Sequence, residues 1–189
     1  FLACWLLIFL AFTSDAQEDL GWKVSKLNTS NGLSNRFVNT IIQDHRGFTW
    51  IGTNFGLNRY DGFRTDILTR ESHHLSSNTI SDLFADIHHQ IWVIQSQAVT
   101  GSIDYIDILD PISFKVRSLS SYLNGSIPFG IKDINFISSD TAGQLFFITT
   151  DNTIFRFGLD GFQQIFHFQD ARPPVSMTVM DDRIYLYKA

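Results

Sequence analysis

Short runs in which apolar and polar residues alternate follow one another along this chain, each broken by a turn signal. Val38-Asn-Thr-Ile-Ile-Gln43, Thr49-Trp-Ile-Gly-Thr53, Leu57-Asn-Arg-Tyr60 and Phe63–Leu68 are too short for helices and rich in β-branched and aromatic residues. Asp44-His-Arg-Gly47, Asn54-Phe-Gly56 and Asp61-Gly62 separate them and carry glycine where tight turns need it. The whole pattern then returns. Leu33, Ser34, Asp44 and Trp50 recur as Leu75, Ser76, Asp86 and Trp92, 42 positions later and without a gap. Val38, Ile41 and Ile42 face Ile80, Leu83 and Phe84, so apolar character persists where identity is lost.

The second set of predicted strands is Thr79–Ala85, Ile91–Gln95, Ile103–Leu109 and Phe114–Leu119, with Ala98-Val-Thr-Gly101 as an insertion before the third. A fainter copy, marked by Ile134, Ile137, Asp140, Gly143 and Phe146, gives Ile134–Ser138, Leu145–Thr149, Thr153–Phe157 and Gln164–Phe168. Val175–Met180 and Ile184–Tyr187 begin a fourth. A period in the low forties built from four short strands is the length of one propeller blade. The expected fold is therefore all-β: a β-propeller of four-stranded antiparallel blades at about 37–69, 79–119, 133–168 and 175–189. Shifted by one period, Gly21–Leu27 falls on a fourth strand, so 21–27 is expected to close the last blade of the ring. Three and a half blades with such a strand amount to an incomplete propeller. No helix is expected outside the N-terminal segment.

That segment stands apart. Phe1–Phe12 carries no charge, and Ser14-Asp15-Ala16 has small residues at the two positions signal peptidase reads, so residues 1–16 are read as a signal peptide, itself truncated. Twelve apolar residues would span only about 18 Å of a ~30 Å hydrocarbon core. Cys4 is the only cysteine and leaves with the signal, so no disulfide is expected in residues 17–189. The net charge of −5 becomes −4 once Asp15 is removed, and no Lys/Arg cluster supplies the footprint of a nucleic-acid binder.

The run Gly32-Leu-Ser…Asp44-His-Arg-Gly-Phe-Thr-Trp-Ile-Gly-Thr53…Gly56-Leu-Asn-Arg-Tyr-Asp61 resembles the two-component regulator propeller repeat, roughly GLS…V..I..D..G..W.GT..GL.RYD. Asp44, Gly47, Trp50, Gly52, Gly56 and Tyr60, with Asp86 and Trp92 in the second copy, fall on its positions. The second copy departs from it: His89 replaces the turn glycine and Ile94-Gln95 replace Gly-Thr, while Phe146 replaces Trp in the third. The resemblance is to hybrid two-component sensors of Bacteroidota-type bacteria. It implies a periplasmic sensor for oligosaccharides, joined in the full-length protein to a membrane span, a histidine kinase, a receiver and an output domain. It further implies an inner-membrane homodimer whose contact with the membrane lies in those other parts or in an uncleaved N-terminus.

Residue chemistry adds little to this picture. Trp50 and Trp92 are expected to pack between blades, and Asp44, Asp86 and Asp140 to cap turns. His73-His74 and His88-His89 should lie on opposite faces, ~23 Å apart along a strand, too far for one metal. No catalytic residue, metal or cofactor is expected. Asn35, Arg36, Asn54 and Asn78 fall on the face of the inter-blade loops and suit the hydroxyls of an oligosaccharide ligand. A secreted propeller enzyme or lectin acting on polysaccharide is the alternative.

Overall fold

The computed structural model describes residues 26–96, 102–169, 174, 176–180 and 183–187. The first sheet joins β1 (Val38–Gln43), β2 (Thr49–Thr53), β3 (Gly56–Tyr60) and β4 (Thr65–Leu68) in chain order, all antiparallel. The second joins β5 (Ile80–Ala85), β6 (Ile91–Ser96), β7 (Ile103–Leu109) and β8 (Val116–Ser118). The third joins β9 (Ile134–Ser139), β10 (Leu145–Thr149), β11 (Thr153–Gly158) and β12 (Gly161–His167). β13 (Ser176–Met180) and β14 (Arg183–Tyr187) form a two-stranded sheet. The first strands are neighbours, β1 against β5 and β9 against β13. These are blades of a β-propeller.

A sheet lying between two others must be apolar on both faces, and β6 shows how sequence meets that demand. Ile91 and Val93 join the core with the first sheet, around Trp50, Leu57 and Leu68. Trp92 and Ile94, pointing the other way, join the core with the third, around Phe147 and Phe157. Trp50 and Trp92 have no exposed surface. The smaller core against β13 is built on Phe146, Ile148, Met177 and Val179.

In the first two blades the aspartate that opens the turn after the first strand does two jobs. Asp44 Oδ1 accepts the N–H groups of Arg46 (2.9 Å) and Phe48 (3.0 Å), while Oδ2 accepts Trp50 Nε1–H at 2.8 Å. Asp86 repeats this with His88, Gln90 and Trp92 Nε1. Asp140 keeps the two backbone bonds, but Phe146 offers no N–H for the third. Gly47 and Gly143 both lie at φ 86°, and His89 takes the same left-handed region at 62°. The histidine thus adopts the turn at some cost in strain instead of abolishing it. The repeat arginine, Arg59, sits between the rings of Phe48 and Phe114 (4.6 and 4.4 Å) and pairs with Asp66 at 2.6 Å.

The expectation of no helix fails at the links between blades. One-turn helices α1 (Arg70–His73) and α2 (Leu119–Tyr122) follow β4 and β8, and a 3-10 turn at Ile131–Asp133 precedes β9. Local caps account for both helices. Thr69 Oγ1 accepts Ser72 N–H while Ser72 Oγ accepts Thr69 N–H, a closed capping box, and Ser118 Oγ accepts Ser121 N–H. Three fourth strands also shift. Asp61 Oδ1 holds the N–H groups of Phe63 and Arg64, which delays β4 to Thr65. Phe114, at φ 58°, belongs to the Asp110 turn rather than to β8. β12 begins at Gly161, paired with Gly158 across a two-residue hairpin. The expected signal peptide lies outside the described residues, as does the closing strand except for Lys26 and Leu27, which are in no strand. No described helix is long and apolar enough to cross a membrane.

Candidate functional site

The links between sheets and the β2–β3 turn meet at one end of the blades, where β1 begins and β2 ends. Asn35 Oδ1 accepts Phe37 N–H at 2.8 Å, and the Arg36 guanidinium lies 4.8 Å from the Phe37 ring centre. Asn54 N–H reaches Phe37 O, and Asn39 Nδ2 donates to Asn54 Oδ1 at 2.8 Å. Asn35, Arg36 and Asn54 are thus drawn around one segment. Asn78 connects through the backbone, its carbonyl accepting Gly56 N–H at 2.7 Å. Its Oδ1 accepts Arg70 N–H (2.7 Å) and its Nδ2 donates to Glu71 Oε2 (3.1 Å). That bond is the leading reason the Glu71 carboxyl titrates below its ordinary value. Asn78 therefore braces α1, whereas Asn35, Arg36 and Asn54 edge the open face.

Beneath this face lies a polar pair of clasps that residue-by-residue reading missed. Ser34 N–H donates to Asn58 Oδ1 (2.8 Å), and Asn58 Nδ2 donates to Ser34 Oγ (2.9 Å) and to Ile51 O (3.1 Å). One period on, Ser76 N–H and Oγ–H both donate to Asp107 at 2.7 Å, and Gln95 Nε2 donates to Asp107 Oδ2 at 2.7 Å. Asp107 and Gln95 are buried, and Gln95 Oε1 has no partner. The repeated Ser34/Ser76 was the available signal. The changed partner, Asn to Asp, concealed it.

The opposite face carries the Asp44 and Asp86 turns. His45 and His89 stack there across two blades, ring centres 3.8 Å apart and 22° from parallel. His73, by contrast, hydrogen-bonds Ser72 Oγ through Nδ1 and lies against Phe114. Among the described residues no group of three His, Cys, Asp or Glu side chains is placed to hold a metal ion. The buried carboxylates of Asp44, Asp86 and Asp107 are each occupied by at least three donors. Their chemistry is structural: they hold turns, indoles and loops.

The sheet order and stacking define a β-propeller domain. Residues 32–55 match the family described as two component regulator propeller. No curated protein sequence matches the chain. Among solved structures, it is similar to the extracellular domain of the hybrid two component system BT3049 from B. thetaiotaomicron, with TM-score 0.56 and 20% identity over 86% of this chain and 23% of that one. The extracellular domain of BT4673 from the same organism gives 0.51 and 16%, over 87% of this chain and 29% of that one. Virginiamycin B lyase from Staphylococcus aureus gives 0.53 and 16%, over 80% and 48%. Identities at this level speak for the fold alone. The chain spans about a quarter of the two extracellular domains it resembles.

Proposed function

We propose that this propeller is the extracytoplasmic ligand-sensing part of a two-component signalling protein, and that it recognises glycan fragments without turning them over. The observation that carries the reading is the end of the blades where Asn35, Arg36 and Asn54 edge an open face. Amides and a guanidinium on a rigid sheet scaffold suit neutral hydroxyl groups, which both donate and accept. The match of residues 32–55 to the regulator propeller supports the signalling context. In this reading the protein is exported to the periplasm, and the kinase and output domains belong to other parts of a dimeric inner-membrane protein.

The test is calorimetric titration of the full-length protein with an oligosaccharide panel, followed by product analysis of every mixture. Binding with the sugar recovered intact, weakened about tenfold by Arg36→Ala, is the expected result. Cleavage or elimination of a bound sugar overturns the non-catalytic reading and leaves the enzyme alternative.

A further inference from the structure

The contact between the first two blades is not repeated between the second and third. On β2, Gly52 stands opposite Thr40, and a Cβ at Gly52 would lie 2.6 Å from Thr40 Cγ2 and 2.7 Å from Ile80 Cγ2. Glycine is what lets the blades close there. Two bonds then cross the gap: Asn39 Nδ2 to Ile80 O at 2.7 Å, and Thr40 Oγ1 to Asp82 Oδ1 at 3.0 Å. One period later the equivalent residues are Ile94, which pairs with Asp82, and Ser81, which replaces Asn39. Ile94 is buried, and Ser81 Oγ–H turns back to Ile94 O at 3.1 Å within its own blade. A cleft of about 240 Å³ opens beside them, between the second blade and β9. Ser81, Asp82, Ser96 and Asn135 give it polar walls, and Phe84, Ile94 and Ile137, on the side of the core between these two blades, an apolar floor.

We infer that this cleft is a binding site for a single uncharged sugar ring. Its volume falls below the roughly 300–1,000 Å³ of sites for larger ligands, so it suits one ring and not a chain. Carboxylate, hydroxyl and amide groups match vicinal hydroxyls, while the ring of Phe84 matches the C–H face of a pyranose. Among the described residues no cationic side chain lines it, so none of them recruits a sulfated or uronic acid residue. Asn39, Ser81 and Asn135 are the bulge residues of three successive first strands, where an extra residue re-aims a side chain. Asn39 ties blades together, whereas Ser81 and Asn135 line the cleft. The inference deepens the proposed function by giving the sensor a monosaccharide pocket separate from the Asn35–Arg36–Asn54 edge.

The test uses the full-length protein and saturation-transfer NMR with methyl β-D-glucopyranoside, galactopyranoside, mannopyranoside and xylopyranoside, beside cyclohexanol and methylamine. At least one glycoside should bind with a millimolar constant, and Asn135→Leu and Ser96→Phe should each weaken it about tenfold or more at unchanged melting temperature. Arg36→Ala should leave this binding untouched. If the oligosaccharides of the previous section bind and no glycoside does, or if glycoside binding ignores both cleft variants, the cleft is overturned while the sensing function stands. Cyclohexanol binding equally well, or methylamine binding better, overturns the ligand class. If no sugar of any length binds, both readings fall.

Discussion

The two inter-blade contacts of this chain solve one packing problem with different materials. Between the first and second blades, Gly52 brings backbones close, and hydrogen bonds from Asn39 and Thr40 cross the gap. Between the second and third, Ile94 holds the first strands apart and aromatic rings fill the layer behind. Trp92 lies 4.8 Å from Phe157 and 5.6 Å from Phe147, and Phe162 packs on both phenylalanines. A repeat period therefore conserves where a contact is made and leaves its chemistry free. Where side chains grow at the inner strand, space opens beside them; where they shrink, it closes.

The comparison breaks most severely at Trp92. Trp92→Ala removes the ring shared with Phe147 and Phe157 and takes the indole donor from Asp86 Oδ2, so a loss of about 3–5 kcal/mol is expected from urea unfolding midpoints. A loss below about 1 kcal/mol would mean the aromatic layer is not what joins these blades. Position by position, Gly52→Val should cost about 1–3 kcal/mol through overpacking against Thr40 and Ile80. Ile94→Ala, at the equivalent place, should cost about 2–4 kcal/mol through an emptied core. The same site must then prefer opposite sizes in the two blades, which thermal melts of both variants check. If both blades prefer glycine, the account of the cleft is wrong.

The clasps sharpen the comparison further. Asp107→Asn copies the first blade's Asn58, but places an amide beside the donors of Ser76 and Gln95. A loss of about 1–2 kcal/mol is expected, with recovery when Gln95→Thr is added to restore the first blade's Thr53 pattern. A double-mutant cycle with no coupling would show that the clasps are unrelated. His89→Gly relieves a left-handed residue but forfeits the stack on His45, so a gain of no more than about 1 kcal/mol is expected by calorimetry. The smallest effect is at Asp110. Ile112 N–H, followed by Ser113 Oγ–H, holds its carboxyl below the ordinary aspartate range. A depressed folded-state value means its stabilisation is present above the unfolded pKa and lost as pH falls through the folded one. Asp110→Asn should flatten the acid arm of a stability–pH curve slightly and leave neutral pH nearly unchanged.

What could be read in advance follows from the range of the interactions. Asp44 and Trp50 lie six residues apart in a repeated frame, so the capped turn, the buried indole and the four-strand order were visible in the chain itself. Helices α1 and α2 were not, because one turn closed by Thr69 and Ser72, or by Ser118, leaves no apolar period to detect. The Asp107 clasp escaped because Asn58 and Asp107 are 49 positions apart, displaced from the 42-residue frame by the insertion before β7. The cleft was least legible. It arises from Ile94 meeting a strand of the next blade, and its first sign was only a departure from the repeat. Asn35 and Asn54 share the Phe37 segment through short-range bonds legible from their loop positions, whereas the bonds by which Asn78 braces α1 depend on a helix turn with no sequence period.

The strand order carries a consequence for how the chain acquires its shape. Among the described residues every ladder joins strands consecutive in sequence, so each of these sheets closes only short loops and has little entropy to overcome before its first contacts form. The first strands that touch belong to successive blades, β1 with β5 and β9 with β13, so folding can start within a blade and spread to the next. The second blade, flanked by the two largest cores, is the natural place for that start. Hydrogen exchange should then be slower in β6, which has a core on each face, than in the largely exposed β8 of the same blade.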